Sequence, residues 1–163
     1  LRFSNDIATG MAIAHQAGVI HRDLKPANIL VNSEGLLKIV DFGVAAAASS
    51  GDTQLTKTGY VIGSPKYMAP EQILGKKVDE TADIYSVGVI MYEMVTGVPP
   101  YSRGDHMSVM YQHVQGKANS CQELNPKIPD AYAAVIAKAM SVDKTKRYKS
   151  MEELSDALNS INL

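Results

Sequence analysis

The sequence predicts a mainly α fold with one small β-hairpin. Apolar residues recur at three- and four-residue spacings through most of the 163 residues, as they do on the buried faces of helices. One stretch, 29–40, instead holds two short apolar runs around a turn-rich tetrapeptide, which is typical of a hairpin. The 45% share of hydrophobic residues is enough for the core of one domain, or of one lobe of a larger domain.

Charge, cysteine content and hydropathy exclude several classes of protein. The 16 Lys and Arg residues against 17 Asp and Glu residues give a formal net charge of −1, which argues against a nucleic-acid binder with a broad basic face. The single cysteine, Cys121, excludes an internal disulfide and a cysteine zinc cage, and it fits a reducing compartment. The most apolar stretch, Ile84 to Val95, is interrupted by Glu93 and is shorter than the ~20 residues that a bilayer requires. We therefore expect a cytoplasmic chain with no membrane segment and no nucleic-acid partner.

The first part of the chain is predicted to hold a helix, the hairpin and a long loop. An apolar residue every three or four positions predicts an amphipathic helix over residues 3–17, and Gly18 stands where a left-handed cap would end it. The runs Ile29 to Val31 and Leu36 to Val40 predict the two strands. Residues 45–66 lack periodicity, so a long surface loop is expected there, and loops of that length are usually functional.

The remainder of the chain is predicted to be helical. Residues 81–95 are apolar on most faces, as expected of a buried central helix, and Gly97 ends them. A weaker, more polar helix is expected over 105–115, and another begins near Asp130. The tetrapeptide Ser150-Met151-Glu152-Glu153 matches a capping box, which satisfies free amides at the start of a last helix.

Polar side chains with the chemistry of a cation site flank the hairpin. Asn28 precedes the first strand and Asp41 follows the second, and a hairpin returns its two ends to one place, with Asp23 nearby. A carboxylate and an amide oxygen suit Mg²⁺, which proteins hold with one or two oxygens plus substrate phosphates and water. Lys25 adds a positive charge for a phosphate. Asp23 or Asn28 alone would more often be a turn residue, but the combined spacing favours a cation site.

Five ordered motifs resemble those of protein kinases and extend over essentially the whole chain. They are the catalytic-loop pattern at His21–Asn28, the D-F-G triplet at Asp41–Gly43, the end of the activation segment at Met68–Glu71, the opening of a buried helix at Asp83–Gly88, and an Arg-bearing stretch at Asp143–Tyr148. The nearest type is the bacterial eukaryotic-like Ser/Thr kinases, including the receptor kinases with extracellular PASTA repeats.

The resemblance implies the carboxy-terminal lobe of the protein-kinase-like (α+β) fold, without the amino-terminal lobe. The Gly-rich loop, the strand Lys and the helix Glu of that smaller lobe would precede Leu1, so we expect a longer parent chain and negligible phosphotransfer by this polypeptide alone. Residues 1–163 would form one partial catalytic domain, with helix E at 1–18, the catalytic loop, hairpin and D-F-G at 19–43, the activation segment at 44–71, and a helical subdomain at 80–163.

The resemblance also implies the reaction, in which the γ-phosphate of ATP is transferred to Ser or Thr hydroxyls of protein substrates with Mg²⁺ or Mn²⁺ as the cation. Asp23 would accept or orient the proton of the substrate hydroxyl, and Asn28 and Asp41 would hold the metal on the nucleotide phosphates. Lys25 would stabilise charge on the transferred phosphoryl group, and Leu30 would supply part of the adenine pocket.

Further positions that the resemblance assigns are structural or regulatory: His21, Arg22, Phe42, Gly43, Thr56, Thr58, Ser64, Glu71, Asp83 and Arg147. Asp83 would accept the backbone amides of the loop at His21-Arg22, whose histidine would pack beneath Phe42. Glu71 would pair with Arg147, and breaking such a buried pair on one side costs about 3–5 kcal/mol.

Positions in and beside the activation segment bear on regulation and specificity. Thr56 and Thr58 stand where this bacterial group is usually phosphorylated, and a phosphate there could pair with Arg22; the alternative is that both are ordinary loop threonines. Ser64 replaces the family's usual Thr but keeps the hydroxyl that is directed toward the catalytic Asp and Lys. Ala27 stands where kinases that prefer basic residues often have Glu, so basophilic specificity is not supported.

The alternative function is a non-catalytic interaction module, in which an isolated lobe offers its helices as a docking surface. A genuine start codon near Leu1 would favour that module, whereas an upstream reading frame with a Gly-rich loop would favour the enzyme. Kinases of this type often dimerise, and a membrane-anchored parent would keep this domain in the cytoplasm.

The remaining histidines and the cysteine are expected to have no chemical role. His15, His106 and His113 lack any partner pattern, so we expect them on the surface or in helix packing. Cys121 has no basic neighbour that would lower its pKa, which favours a buried or idle thiol.

Overall fold

The computed structural model describes residues 1–42 and 64–161 of the chain. Within these ranges the chain forms seven α-helices, two antiparallel strands and three short 3-10 turns. The helices are α1 (Arg2–Gln16), α2 (Pro70–Ile73), α3 (Thr81–Thr96), α4 (His106–Gln115), α5 (Cys121–Leu124), α6 (Asp130–Ala139) and α7 (Met151–Asn159). The strands are β1 (Ile29–Val31) and β2 (Leu37–Ile39), and the 3-10 turns are Pro26–Asn28, Pro65–Tyr67 and Lys144–Lys146. The predicted mainly α fold with a small hairpin is confirmed.

The hairpin brings its two ends together. β1 and β2 pair in antiparallel register, with Ile29 opposite Ile39. Beyond the strands, the amide of Val40 donates to the carbonyl of Asn28 over 2.8 Å. The ladder therefore holds the residues just before β1 beside those just after β2, which is the placement that the cation-site hypothesis requires.

Helix α3 is the centre of the fold, since every residue from 82 to 92 is buried. Gly88 lets α6 come close, because a Cβ atom at this position would lie 2.9 Å from the Cβ of Ala139. Helices α1 and α7 pack against each other, and Met11 and Leu154 belong to the same buried cluster as Ile84 of α3. Even so, among the described residues no helix combines the length and the apolar character that a bilayer crossing needs.

The predicted boundaries of the longer helices agree with the structure to within one residue. The predicted spans are 3–17 for α1, 81–95 for α3 and 105–115 for α4. At the start of α7, the hydroxyl of Ser150 accepts the amide of Glu153 over 3.0 Å, so the serine half of the predicted capping box is confirmed. Gly97 ends α3 at a φ of 84°, a left-handed conformation that glycine adopts without steric cost.

The end of the predicted loop at 45–66 differs from the prediction. Pro65 begins a 3-10 turn, because proline presets the backbone angle φ of a first helical position. Its side chain is buried. The surface-loop prediction is therefore wrong at Pro65, whereas Lys66 lies in the 3-10 turn and is exposed, as a surface position should be. Residues 45–63 lie outside the described residues.

Candidate active site

The loop before the hairpin is held by one buried carboxylate. Asp83 of α3 is 0% exposed and accepts the amide of His21 over 2.8 Å and the amide of Arg22 over 2.9 Å. From the other side, Gln72 of α2 donates to the carbonyl of Arg22 over 2.8 Å. Arg22 has a φ of 69°, and these bonds hold its strained backbone in place. The predicted contact between Asp83 and this loop is confirmed.

His21 joins the same loop to the end of the hairpin. Its Nε2 lies 2.9 Å from the carbonyl oxygen of Val40, and its Nδ1 accepts the amide of Asp23 over 3.2 Å. A neutral imidazole can make both bonds only when Nε2 carries the proton. The His21 ring centroid lies 4.6 Å from that of Phe42, so the predicted packing is confirmed. Neither nitrogen is left free for proton transfer.

Asn28 and Asp41 meet at the base of the hairpin. Asn28 is 2% exposed, its Nδ2 lies 3.5 Å from Oδ2 of Asp41, and its buried Oδ1 has no hydrogen bond among the described residues. Asp41 is exposed and has a φ of 68°, so a strained backbone presents its carboxylate at the surface. A buried amide oxygen without a partner beside an exposed carboxylate is a donor set that fits Mg²⁺.

This donor set is smaller than a dedicated metal cage. Across residues 1–42 and 64–161, no group of three His, Cys, Asp or Glu side chains is arranged to hold a metal ion. A cation beside Asn28 and Asp41 would therefore take most of its ligands from phosphate and water, as Mg²⁺ does in nucleotide sites.

Asp23 contacts Lys25 and Ser64. Nζ of Lys25 lies 3.5 Å from Oδ2 of Asp23, and the backbone amide of Ser64 donates to Oδ1 of Asp23 over 3.2 Å. The sequence predicts a contact through the Ser64 hydroxyl, whereas the structure shows one through the amide. Ser64 is extended ahead of its 3-10 turn, which leaves this amide outside the bonds of the turn. The contact is therefore independent of the replacement of Thr by Ser.

Glu71 and Arg147 form a buried two-point ion pair. Nη1 and Nη2 of Arg147 lie 2.7 Å and 2.8 Å from the two carboxylate oxygens of Glu71. The guanidinium also donates to the carbonyls of Ser141, Thr81 and Val142 over 2.7, 3.1 and 3.2 Å. All five N–H groups of the arginine thus have acceptors. The predicted pair is confirmed, and it ties α2 to the stretch before α7.

His15 makes a contact with Asp83 that the sequence does not predict. Its Nε2 lies 2.9 Å from Oδ2 of Asp83, and its side chain is nearly buried. The expectation that His15 lies on the surface or in helix packing is confirmed as helix packing, because α1 packs with this face toward α3. The hydrogen bond to Asp83 is what the sequence does not indicate. Ile7, Met11 and His15 are four residues apart and share one face of the helix, which is the signal that could have placed the histidine. His106 is exposed, as predicted.

A second missed cluster surrounds Tyr67, in the turn that follows Ser64. Its hydroxyl donates to the carboxylate of Glu93, with oxygen distances of 2.8 and 2.9 Å, and its carbonyl accepts the hydroxyl of Ser86 over 2.7 Å. Burial, together with the Glu93 carboxylate, raises the pKa of Tyr67 well above its ordinary value. The turn is thus fixed to α3 at two points.

The other predicted site residues lie apart from this cluster or outside the described part of the chain. Leu30 is on β1 and is 53% exposed. Gly43, Thr56 and Thr58 are outside the described residues, so the pairing of a loop phosphate with Arg22 stays a prediction.

Comparisons with known proteins identify relatives over nearly the whole chain. Residues 2–158 match the family described as "Protein kinase domain". "Probable serine/threonine-protein kinase CPE1738" of Clostridium perfringens is 40% identical over 155 residues, which are 95% of this chain and 22% of that protein. "Probable serine/threonine-protein kinase PknB" of Lactococcus lactis is 40% identical over 159 residues, 97% of this chain and 25% of that protein. "Serine/threonine-protein kinase PksC" of Streptomyces coelicolor is 37% identical over 156 residues, with shares of 96% and 28%.

The chain spans about a quarter of the length of the curated relatives that it matches. These bacterial relatives are named as serine/threonine-protein kinases or probable ones, which is the type that the motifs indicate. The helices and the hairpin seen in the described part of the chain fit a kinase carboxy-terminal lobe. On the family match and on these relatives, the chain belongs to the protein kinase family.

Proposed function

We propose that this chain supplies the catalytic and metal-binding residues of a kinase that transfers the γ-phosphate of ATP to Ser or Thr hydroxyls of protein substrates. The observation that carries the proposal is the convergence at the hairpin base. There the buried amide oxygen of Asn28, which has no hydrogen bond in the part of the chain that the structure describes, lies beside the exposed Asp41. Asp23 lies five residues before Asn28, on the loop that Asp83 and His21 hold in place through hydrogen bonds.

The chemistry of phosphoryl transfer requires positioning and charge stabilisation more than covalent catalysis. Mg²⁺ or Mn²⁺, when bound, would neutralise charge on the nucleotide phosphates. Oδ1 of Asn28 and the carboxylate of Asp41 are the oxygens that would hold it. Asp23 would accept the proton of the substrate hydroxyl as the new O–P bond forms and ADP leaves. Lys25, whose Nζ lies 3.5 Å from Asp23, would stabilise negative charge on the transferred group.

The rigidity of the loop supports this assignment. Asp83 accepts the amides of His21 and Arg22, and the ring of His21 accepts the amide of Asp23. The backbone at Asp23 and at the two residues before it is therefore held by hydrogen bonds. Such support by surrounding hydrogen bonds is what a catalytic group requires. The exposed apolar side chain of Leu30 fits the role of a floor for the adenine ring. Since ATP is the donor, we place the reaction in the cytoplasm; dimer formation stays a prediction.

The experiment is phosphotransfer by the complete gene product that contains this chain. Purified protein is incubated with labelled ATP, Mg²⁺ or Mn²⁺ and a Ser/Thr protein substrate, and Asp23→Asn is compared with Asp6→Asn. Asp6 lies on α1 and is partly exposed, so its replacement keeps the same chemical change away from the site. We expect Asp23→Asn to lower kcat by about 100-fold or more, as for loss of a general base, and Asp6→Asn to leave kcat unchanged.

Two outcomes would overturn the proposal. Undiminished transfer by Asp23→Asn would show that the assigned base is not the catalytic group. A folded wild-type protein that transfers no phosphate with either cation would instead favour the non-catalytic interaction module.

A further inference from the structure

His113 is a buried histidine that the proposed reaction does not use. It lies on α4 and is 0% exposed, with Nδ1 2.5 Å from the hydroxyl oxygen of Tyr85 on α3. The ring of Tyr101 packs edge-on at a centroid distance of 4.7 Å. Helix α4 packs against the 3-10 turn Pro65–Tyr67, so the imidazole lies between the core helix and this turn.

The far side of the imidazole faces the backbone of the turn. Nε2 is buried and makes no hydrogen bond of good geometry among the described residues. The carbonyls of Lys66 and Pro65 face the ring and favour a proton on it, but burial dominates and lowers the pKa of His113 to about 4. The imidazole is therefore neutral at pH 7. Burial also raises the pKa of Tyr85, which keeps its hydroxyl protonated.

We assign the neutral ring the tautomer with its proton on Nε2, in which the Tyr85 hydroxyl donates to Nδ1. The carbonyls of Lys66 and Pro65 favour a proton on the ring, which agrees with this choice. The other titratable side chain in ring contact is Tyr101, whose pKa is raised by burial and which stays uncharged as well. The imidazole thus acts as a neutral bridge between α3 and the turn.

The 3-10 turn Pro65–Tyr67 is also connected to Asp23, the candidate catalytic base. The amide of Ser64, the residue just before the turn, donates to Asp23 over 3.2 Å. Tyr67, the last residue of the turn, is fixed by Glu93 and Ser86. A hydroxyl brought to Asp23 would therefore lie close to Ser64, at the start of this segment.

We propose that His113 is a positioning residue that holds the segment Ser64–Tyr67 in register with Asp23 and so sets the place of the protein substrate. The proposal rests on the proposed kinase function. It predicts an effect on the use of the protein substrate and none on the use of ATP, because α4, which carries the imidazole, packs against the turn. The hydrogen bond of the ring runs to Tyr85 of α3 and not to the hairpin base.

The kinetic test compares three substitutions in the complete gene product. His113→Gln keeps an N–H donor near Nε2, His113→Asn keeps polarity only near Nδ1, and His106→Gln is the matched control on the exposed face of α4. We expect His113→Asn to raise the KM for the protein substrate about tenfold, with the KM for ATP within about twofold of wild type. His113→Gln should restore most of the loss. Tyr85→Phe, which removes only the hydroxyl, should shift the protein KM in the same direction.

Hydrogen exchange decides the positioning step even if the protein transfers no phosphate. The amides of Tyr67 and Met68 bond to the carbonyls of Ser64 and Pro65 over 3.0 and 3.4 Å. We expect His113→Asn to accelerate their exchange about tenfold while α1 and α7 stay protected. Unchanged exchange at these amides, a rise in the ATP KM equal to that for protein, or exchange accelerated equally in all helices would overturn the positioning role. Absence of phosphotransfer in the wild type would overturn the proposed function alone.

Discussion

Asp83 and Asp41 are two carboxylates that contact the segment 21–28, and they differ in burial and in hydrogen bonding. Asp83 is fully buried and its oxygens lie within hydrogen-bond distance of two backbone amides and the His15 ring. Asp41 is exposed, has a left-handed backbone and, within residues 1–42 and 64–161, makes one 3.5 Å contact, with Asn28. We call a carboxylate like Asp83, whose oxygens accept hydrogen bonds from the protein, occupied, and an exposed carboxylate like Asp41 open.

The difference separates structural carboxylates from ligand-binding ones. An Asp whose oxygens all accept hydrogen bonds from the protein has no capacity left for a cation or a substrate. A strained residue persists only where the surrounding structure enforces it, and such strain is concentrated at functional sites. The bonds that Asp83 makes to the backbone of His21 and Arg22 fix the loop, while Asp41 keeps an open carboxylate. We expect substitutions at occupied groups to change stability and those at open groups to change binding.

The largest loss of stability is expected at Glu71, an occupied carboxylate like Asp83. Glu71→Gln leaves the guanidinium of Arg147 buried without its counter-charge, which should lower the free energy of unfolding by about 3–5 kcal/mol. Glu153→Gln is the matched control, because Glu153 pairs with Lys138 at 3.9 Å on the surface and such pairs contribute at most about 1 kcal/mol. Urea unfolding of both variants measures the difference. Equal losses would show that occupancy does not separate the two classes.

The next effect depends on pH and concerns His113, a buried side chain that carries no charge at pH 7. Its pKa is about 4 in the folded chain and 6.5 without the fold, so between these values the unfolded chain binds more protons. The free energy of unfolding should therefore fall as the pH drops, by about 2 kcal/mol at pH 5 and about 3 kcal/mol at pH 4. Urea unfolding from pH 7 to pH 4 should show a shallower fall for His113→Gln, with His106→Gln following the wild type. Coincident profiles for all three proteins would contradict the buried neutral imidazole.

Local sequence is enough to predict that Asn28 and the open carboxylate of Asp41 lie together. The strands that flank the tetrapeptide fix the hairpin, and the hairpin alone brings Asn28 and Asp41 together. The contact of Asp83 with its loop and the pair of Glu71 with Arg147 came instead from the kinase motifs, since no local pattern joins residues so far apart.

The missed contacts all lie on the occupied side and join distant residues. His15 contacts Asp83 across 68 positions of sequence, and Tyr67 contacts Glu93 across 26. Such pairs depend on how whole helices pack, and neither a turn signal nor a period specifies that packing. The available signal for His15 was its place on the apolar face of a predicted helix. That signal predicts which face of the helix is buried, but it does not predict which residue the histidine contacts.

Replacing Asp83 itself should produce a moderate loss of stability. In Asp83→Asn, one side of the group becomes an N–H donor that faces another donor, either a loop amide or the imidazole of His15. We expect the free energy of unfolding to fall by about 2 kcal/mol, and the amides of His21 and Arg22 to exchange faster. Hydrogen exchange followed by mass spectrometry measures both. Full protection of these two amides in the variant would show that Asp83 does not hold the loop.

The smallest effect on stability, and the clearest on binding, is expected at Asp41. Asp41→Asn makes the same chemical change as Asp83→Asn, and asparagine tolerates the φ of 68° as well as aspartate does. Because Asp41 is exposed and its hydrogen-bond contact among the described residues is one to Asn28 at 3.5 Å, the free energy of unfolding should change by less than about 0.5 kcal/mol. Its carboxylate is the open ligand, however, so line broadening by Mn²⁺ of the amide signals next to Asn28 and Asp41 in the presence of ATP, followed in the complete gene product, should disappear. The distinction between the two aspartates holds that an open carboxylate contributes to ligand binding and an occupied one to the fold. An Asp41→Asn variant that loses as much stability as Asp83→Asn, or that keeps the Mn²⁺ line broadening, would contradict it.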